Sequence, residues 1–125
     1  MTTHVGVDLL HIAELDLLAR RAWFLRFLFS AEELDALATA DSARLTGWFA
    51  AKEAVLKVLR SGLSGPVPPA QIVLRCHGTD GVSVELRGAA STRARLLGIS
   101  QVHVCIARNQ AFVIAVALGT GQQGL

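Results

Sequence analysis

The stretch DSARLTGWFAAKEAVLKVLRSG, residues 41–62, constrains the fold more than any other part of the chain. Asp41 or Ser42 supplies a helix N-cap, Trp48, Val55 and Leu59 recur at positions that pack inward, and Gly62 supplies a stop. One long helix is therefore predicted to end near Gly62. Strands flank it on both sides. HVGVDLL, residues 4–10, places Val5 and Val7 on one face and Gly6 and Asp8 on the other. AQIVLRC and GVSVELRG read as two strands joined through HGTDG, whose Asp80-Gly81 pair favours a tight turn. QVHVCIA and AFVIAVAL form a closing hairpin around Arg108, Asn109 and Gln110.

The remaining segments read as helices and loops. From Ala13 to Phe29 apolar residues, among them Leu17, Leu18, Trp23, Phe24 and Leu28, recur at helical spacing, which predicts one helix. Ser30 followed by Glu33 has the form of a capping box, so a short helix starts there. AASTRARLLG is helical in composition with Gly98 as its stop, and SGLSGPVPP is a loop. This order predicts an α+β fold: a single domain, residues 1–118, whose antiparallel sheet packs on a long central helix. Residues 119–125 are expected to form a disordered tail.

Composition removes several function classes. Twelve Lys and Arg against ten Asp and Glu give a net charge of +2, well short of the basic surface that phosphate backbones require, so nucleic acid is not an expected partner. Cys76 and Cys105 sit inside apolar runs, where a thiol behaves as a small hydrophobe, and do not suggest a disulfide framework. The four histidines, His4, His11, His77 and His103, are scattered without metal-ligand spacing, and His103 reads as a core histidine. The start of the chain has no secretory pattern and AFVIAVAL is too short to cross a bilayer, which predicts a soluble, cytoplasmic protein without a membrane partner. A 52% hydrophobic composition leaves surplus apolar surface, and a subunit interface is one place for it.

Charge is concentrated where the apolar chain least needs it. Glu53, Lys57 and Arg60 follow one another by steps of four and three along one helix face. As a solvated pair, Glu53 and Lys57 contribute a few tenths of a kcal/mol. Asp8 changes the weighting, because a carboxylate in the middle of an apolar strand is costly unless something neutralises it. A bound cation does so: Asp8 and Glu53 together offer hard oxygen ligands to a magnesium ion that takes its other ligands from water and a phosphate. Lys57 and Arg60 are suited to hold further phosphate oxygens, the first as a point charge and the second as a fork. Two carboxylates and two cations on converging elements describe a pyrophosphate site.

These residues carry a resemblance. VGVDLLHI and WFAAKEAVLKVLRSG resemble the two signatures of the holo-acyl-carrier-protein synthase family of 4'-phosphopantetheinyl transferases, in its short, homotrimeric form. Gly6, Val7 and Asp8 meet the first; Phe49, Ala50, Lys52, Glu53, Ala54, Lys57 and Gly62 meet the second, and HVCI is similar to the family's closing strand. The resemblance implies that fold and the magnesium-dependent transfer of phosphopantetheine from coenzyme A to a serine of an apo acyl or polyketide carrier protein, with 3',5'-adenosine bisphosphate leaving. It implies metal binding by Asp8 and Glu53, and phosphate contact by Lys57. The serine's proton would leave through Glu53 or a water on the metal.

The chain also departs from the family pattern. Arg60 stands where the family has the first glycine of G-x-G, and is expected to grip the nucleotide phosphates. Trp48 replaces an arginine and serves as core or as a stacking surface. Ala107 and Arg108 replace a serine or threonine and a histidine, which keeps a charge near the nucleotide, and Gly62 keeps the family's second glycine. Glu14 replaces an arginine that meets the carrier, so docking falls to Arg20, Arg21 and Arg26. The rival reading is a non-catalytic member that binds coenzyme A or a carrier protein without transfer.

Overall fold

In the computed structural model the described residues are 2–16, 21–77 and 81–122. The elements are β1 (Thr2–His11), a 3-10 turn (Ile12–Leu15), α1 (Ala22–Leu28), α2 (Ala31–Ala36), α3 (Ser42–Val58), a second 3-10 turn (Pro69–Gln71), β2 (Ile72–Cys76), β3 (Val82–Leu86), α4 (Gly88–Leu96), β4 (Gln101–Arg108) and β5 (Phe112–Gly121). The five strands form one antiparallel sheet in the order β1-β5-β4-β3-β2, with the long central helix α3 packed across β1, β5 and β4. The predicted α+β class and its single core are what the structure shows.

Local chemistry explains where α3 begins and ends. The Asp41 carboxylate accepts from the Arg44 amide at 2.9 Å, satisfying one orphan donor of the first turn. At the other end the Arg60 amide donates to Lys57 O at 3.1 Å and the Ser61 amide to Leu56 O at 2.9 Å, the paired bonds of a Schellman closure. That closure needs a left-handed residue, and here the residue is Arg60, with φ +54°. α4 closes the same way on Gly98, φ +74°, through Gly98 N to Arg95 O and Ile99 N to Ala94 O. Arg93 of α4 donates from Nε to Leu59 O at 3.0 Å, placing a cation at the negative end of α3.

Strand alternation divides the sheet into two unlike faces. Gly6 and Asp8 of β1 and Val113, Ala115 and Ala117 of β5 are buried against α3. Gly6 is what lets β1 approach the helix: a side chain there would overlap the carbonyl oxygen of Ala54 and press on Lys57 Cβ. The opposite face is apolar and uncovered. Three rows cross it, Val5–Leu118–His103, Val7–Val116–Cys105 and Leu9–Ile114–Ala107, with Val5 and Leu9 each 60% exposed.

Behind α3 the packing centres on a buried ion pair. Lys52 Nζ donates to Glu33 Oε1 at 2.5 Å, Leu28 O at 2.6 Å and Pro69 O at 3.0 Å, which uses all three of its protons. Glu33 completes the capping box with Ser30 and accepts from the Leu74 amide at 2.9 Å. Burial pulls the Lys52 pKa down to about 8, with the Glu33 charge opposing. Nearer the surface, Arg87 holds both Glu32 oxygens at 2.8 and 2.9 Å and Arg75 holds Glu85 at 2.6 Å, tying α2 to β2 and β3.

Several expectations are corrected. The predicted helix from Ala13 to Phe29 opens instead on a 3-10 turn, and α1 starts separately at Ala22 after an extended Arg21; residues 17–20, with Leu17 and Leu18, lie outside the described residues. His11 Nδ1 accepts from the Ala13 amide and Arg21 is extended, so each segment starts on its own, a break that apolar periodicity does not register. Trp23 is accordingly 57% exposed. Cys76 and Cys105 lie on strands as predicted but are exposed, because Cys105 and His103 point to the uncovered face; His103 is therefore no core histidine. Gly119, Thr120 and Gly121, assigned to the tail, extend β5 and pair with β1, while residues 123–125, like Asp80 of the predicted turn, lie outside the described residues.

Candidate active site

β1 and α3 meet at Asp8. The carboxylate is 8% exposed, and its Oδ2 is buried with no hydrogen-bond partner. Lys57, on the facing side of α3, donates from Nζ to Val7 O at 2.6 Å and reaches Asp8 Oδ1 at 3.3 Å, while half of its side chain stays open to solvent. Glu53 lies one turn before Lys57. Its pKa is raised, first by burial and then by the Asp8 charge, with Lys57 opposing. The Asp8 charge reaches Glu53 across the packing of β1 on α3, although 45 positions separate the two in the chain.

Two carboxylates against one ammonium leave the site with negative charge to spare. The orphaned Asp8 oxygen and the Glu53 carboxyl, pressed towards protonation by burial and then by its neighbour, are what a pair built around a further cation shows when only the lysine neutralises it. Among the described residues no group of three or more His, Cys, Asp or Glu gathers for a metal. A hard cation held here would thus take most of its ligands from water and a phosphate, the habit of magnesium rather than zinc.

The other predicted residues lie elsewhere. Trp48 is 3% exposed and belongs mainly to the core, with the Arg44 guanidinium 5.6 Å from its ring centre. Its edge and Arg44, Asp41, Gly47, Ile106 and Arg108 line a separate cleft of about 430 Å³. Arg108 pairs with Asp41 at 3.7 Å and stands on β4, with β5 between it and the strand of Asp8. Arg60 and Gly62 follow Lys57 at the end of α3, both exposed, and a side chain added at Gly62 would meet nothing within 4 Å. Glu14 is exposed in the first 3-10 turn. Arg21 and Arg26 are exposed on either end of α1; Arg20 lies outside the described residues.

Two contributors escaped sequence reasoning. Lys52 stood within the charged stretch, yet its side chain points away from Glu53 into the core; a step of one residue turns a helix by about 100°, and that was the available signal. Arg44, three residues into the same helix, gave none.

Comparison with known proteins places the chain in a family. The family described as the 4'-phosphopantetheinyl transferase superfamily matches residues 4–117. The chain is 30% identical over 120 residues to a holo-[acyl-carrier-protein] synthase of Desulfovibrio desulfuricans, spanning 94% of this chain and 97% of that protein. Its fold is similar to the acyl carrier protein synthase of Plasmodium yoelii with ADP bound, at a TM-score of 0.85 and 23% identity over 98% of this chain and 100% of that one. It is also similar to the ACPS-CoA complex of Chronobacterium ammoniagenes, at a TM-score of 0.80 and 25% identity over 98% and 100%. With strand, helix and paired carboxylates in place across the matched span, the chain belongs to the 4'-phosphopantetheinyl transferase superfamily.

Proposed function

We propose that the protein transfers 4'-phosphopantetheine from coenzyme A to a serine hydroxyl of an apo acyl or polyketide carrier protein, in a magnesium-dependent reaction that releases 3',5'-adenosine bisphosphate. The observation that carries this reading is the convergence of Asp8, Glu53 and Lys57 around a buried, unpartnered carboxylate oxygen. Asp8 and Glu53 would hold the magnesium, which supplies charge neutralisation on the pyrophosphate. Lys57, half open to solvent, stabilises negative charge on the phosphate under attack. The serine oxygen forms the new bond to phosphorus, the bridging P–O bond breaks, and its electron pair leaves with 3',5'-adenosine bisphosphate. The serine proton would leave through Glu53 or through a water on the metal.

Nucleotide contact falls to Arg60, Gly62, Arg108 and the edge of Trp48 that lines the cleft. Arg108 stands apart from Asp8 within one chain, with β5 between their strands, which favours a cleft completed between neighbouring subunits. The uncovered sheet face supplies the surface for such an assembly, and a homotrimer is the state proposed. Arg20, Arg21 and Arg26 are the proposed contacts for an acidic carrier; Arg21 and Arg26 share the α1 segment with the exposed Trp23 and Phe27. No described helix is long and apolar enough to cross a membrane, and the cytoplasm is the proposed location.

Incubation with coenzyme A, magnesium and an apo carrier, followed by intact-mass measurement of the carrier, tests the reading. Added phosphopantetheine is the expected outcome, lost in Asp8→Ala. An unmodified carrier with coenzyme A still bound to the protein would overturn transfer and leave a binding protein of the same family.

A further inference from the structure

Lys52 heads the fully buried side chains by size, and the proposed chemistry gives it no task. Energy alone does not account for it, since apolar residues of similar volume fill such a site at no desolvation cost. What an apolar residue lacks is direction. The three acceptors of Nζ come from the end of α1, from α2 and from the turn before β2, and the Phe29 ring lies 4.9 Å away as a fourth wall. Glu33 is itself fixed by the Ser30 and Leu74 amides. The ammonium therefore has one position, and α3 has one rotation about its axis that reaches it.

Glu53 is the next residue along that helix and Lys57 lies one turn beyond. A side-chain head about 5–6 Å from a helix axis moves about 1 Å for a rotation of about 10°. Displacement of that size costs about 100-fold where reacting groups must be held in register. On the opposite flank Gly6 brings β1 against Ala54 and Lys57, so Asp8 approaches from a strand that follows the helix surface. We propose that Lys52 is a positioning residue: its three-acceptor anchorage sets the rotation of α3, and through it the separation of the Glu53 and Asp8 carboxylates that hold the divalent ion. This rests on the metal-binding part of the proposed function.

Manganese titration without coenzyme A or carrier, followed by electron paramagnetic resonance, tests it beside transfer kinetics. Lys52→Met keeps bulk and loses direction; it is expected to weaken manganese binding about tenfold and lower kcat about 10- to 100-fold, with the KM for carrier within about twofold. Glu33→Gln keeps an acceptor at the same place and is expected to retain near wild-type manganese affinity even where its midpoint of unfolding falls. A folded Lys52→Met protein that binds manganese as the wild type does overturns the proposal, as does a loss in both variants that simply follows their stability. Should Lys52→Met fail to fold, Lys52→Gln carries the same test, with weakened binding expected and wild-type binding overturning it. Wild-type protein that binds manganese but modifies no carrier removes the transferase reading and leaves the positioning role standing on the metal titration.

Discussion

Arg60 offers the most direct check on the backbone reading. It closes the central helix with φ +54° while Gly98 performs the same closure on α4, and the two motifs share their hydrogen-bond pattern. A left-handed conformation costs a residue with a Cβ about 1–2 kcal/mol, of which a glycine gives back about 0.5–1 kcal/mol through its freedom in the unfolded chain. Among the described residues the Arg60 side chain makes no hydrogen bond or ion pair, and only its carbonyl is used, accepting from Arg93 at 3.3 Å. Arg60→Gly should thus stabilise by about 0.5–1 kcal/mol. At about 2.1 cal/mol/K per residue, a chain of 125 residues has an unfolding entropy near 0.26 kcal/mol/K, so the midpoint should rise by about 2–4 °C. The mirror experiment is Gly98→Ala, whose Cβ would meet only Thr2 Oγ1 at 3.6 Å, and which should lose about 1 kcal/mol through φ alone. Thermal and urea unfolding at one fixed protein concentration measure both. A midpoint that falls in Arg60→Gly, or one unmoved in Gly98→Ala, would refute the strain argument.

Three more outcomes follow from the site and the faces. Because the Glu53 pKa is raised in the folded state, its ionised form destabilises the metal-free protein above that pKa; Glu53→Gln should raise the unfolding midpoint at neutral pH, with the gain vanishing as pH falls into the ordinary carboxylate range. An unchanged or lower midpoint at neutral pH would contradict the crowding of the two carboxylates. Lys57→Met removes the cation that faces Asp8 and should bind manganese alone about fivefold more tightly while losing transfer, as titration at pH 8 would reveal; weaker binding would mean the lysine helps hold the ion. Val116→Arg, in the middle of the uncovered face, should leave the chain folded but shift its mass in sedimentation to that of one subunit, and an assembly of undiminished size would place the interface elsewhere.

Asp8, Glu53 and Lys57 were legible because their signals are local and of known period: alternation along a strand puts Asp8 with Gly6, and a step of four puts Lys57 over Glu53. The capping box at Ser30 and the stop at Gly98 were readable for the same reason. Lys52 was not, since its acceptors at positions 28, 33 and 69 converge only after three segments have docked. Nor was the break before Ala22, where apolar spacing continues past an extended Arg21. His103 and Cys105 were misplaced because alternation reveals that a strand has two faces without revealing that both are apolar here.

Val7 belongs to both faces at once. Its side chain stands 45% exposed in the central apolar row, while its carbonyl oxygen receives the Lys57 ammonium at 2.6 Å. In the proposed assembly a neighbour settling on that row would press on a residue whose own backbone steadies Lys57, so quaternary contact and the proposed chemistry would share a single peptide unit. Loosening such an assembly would loosen the grip on Lys57, and dilution is expected to cost turnover before it costs fold.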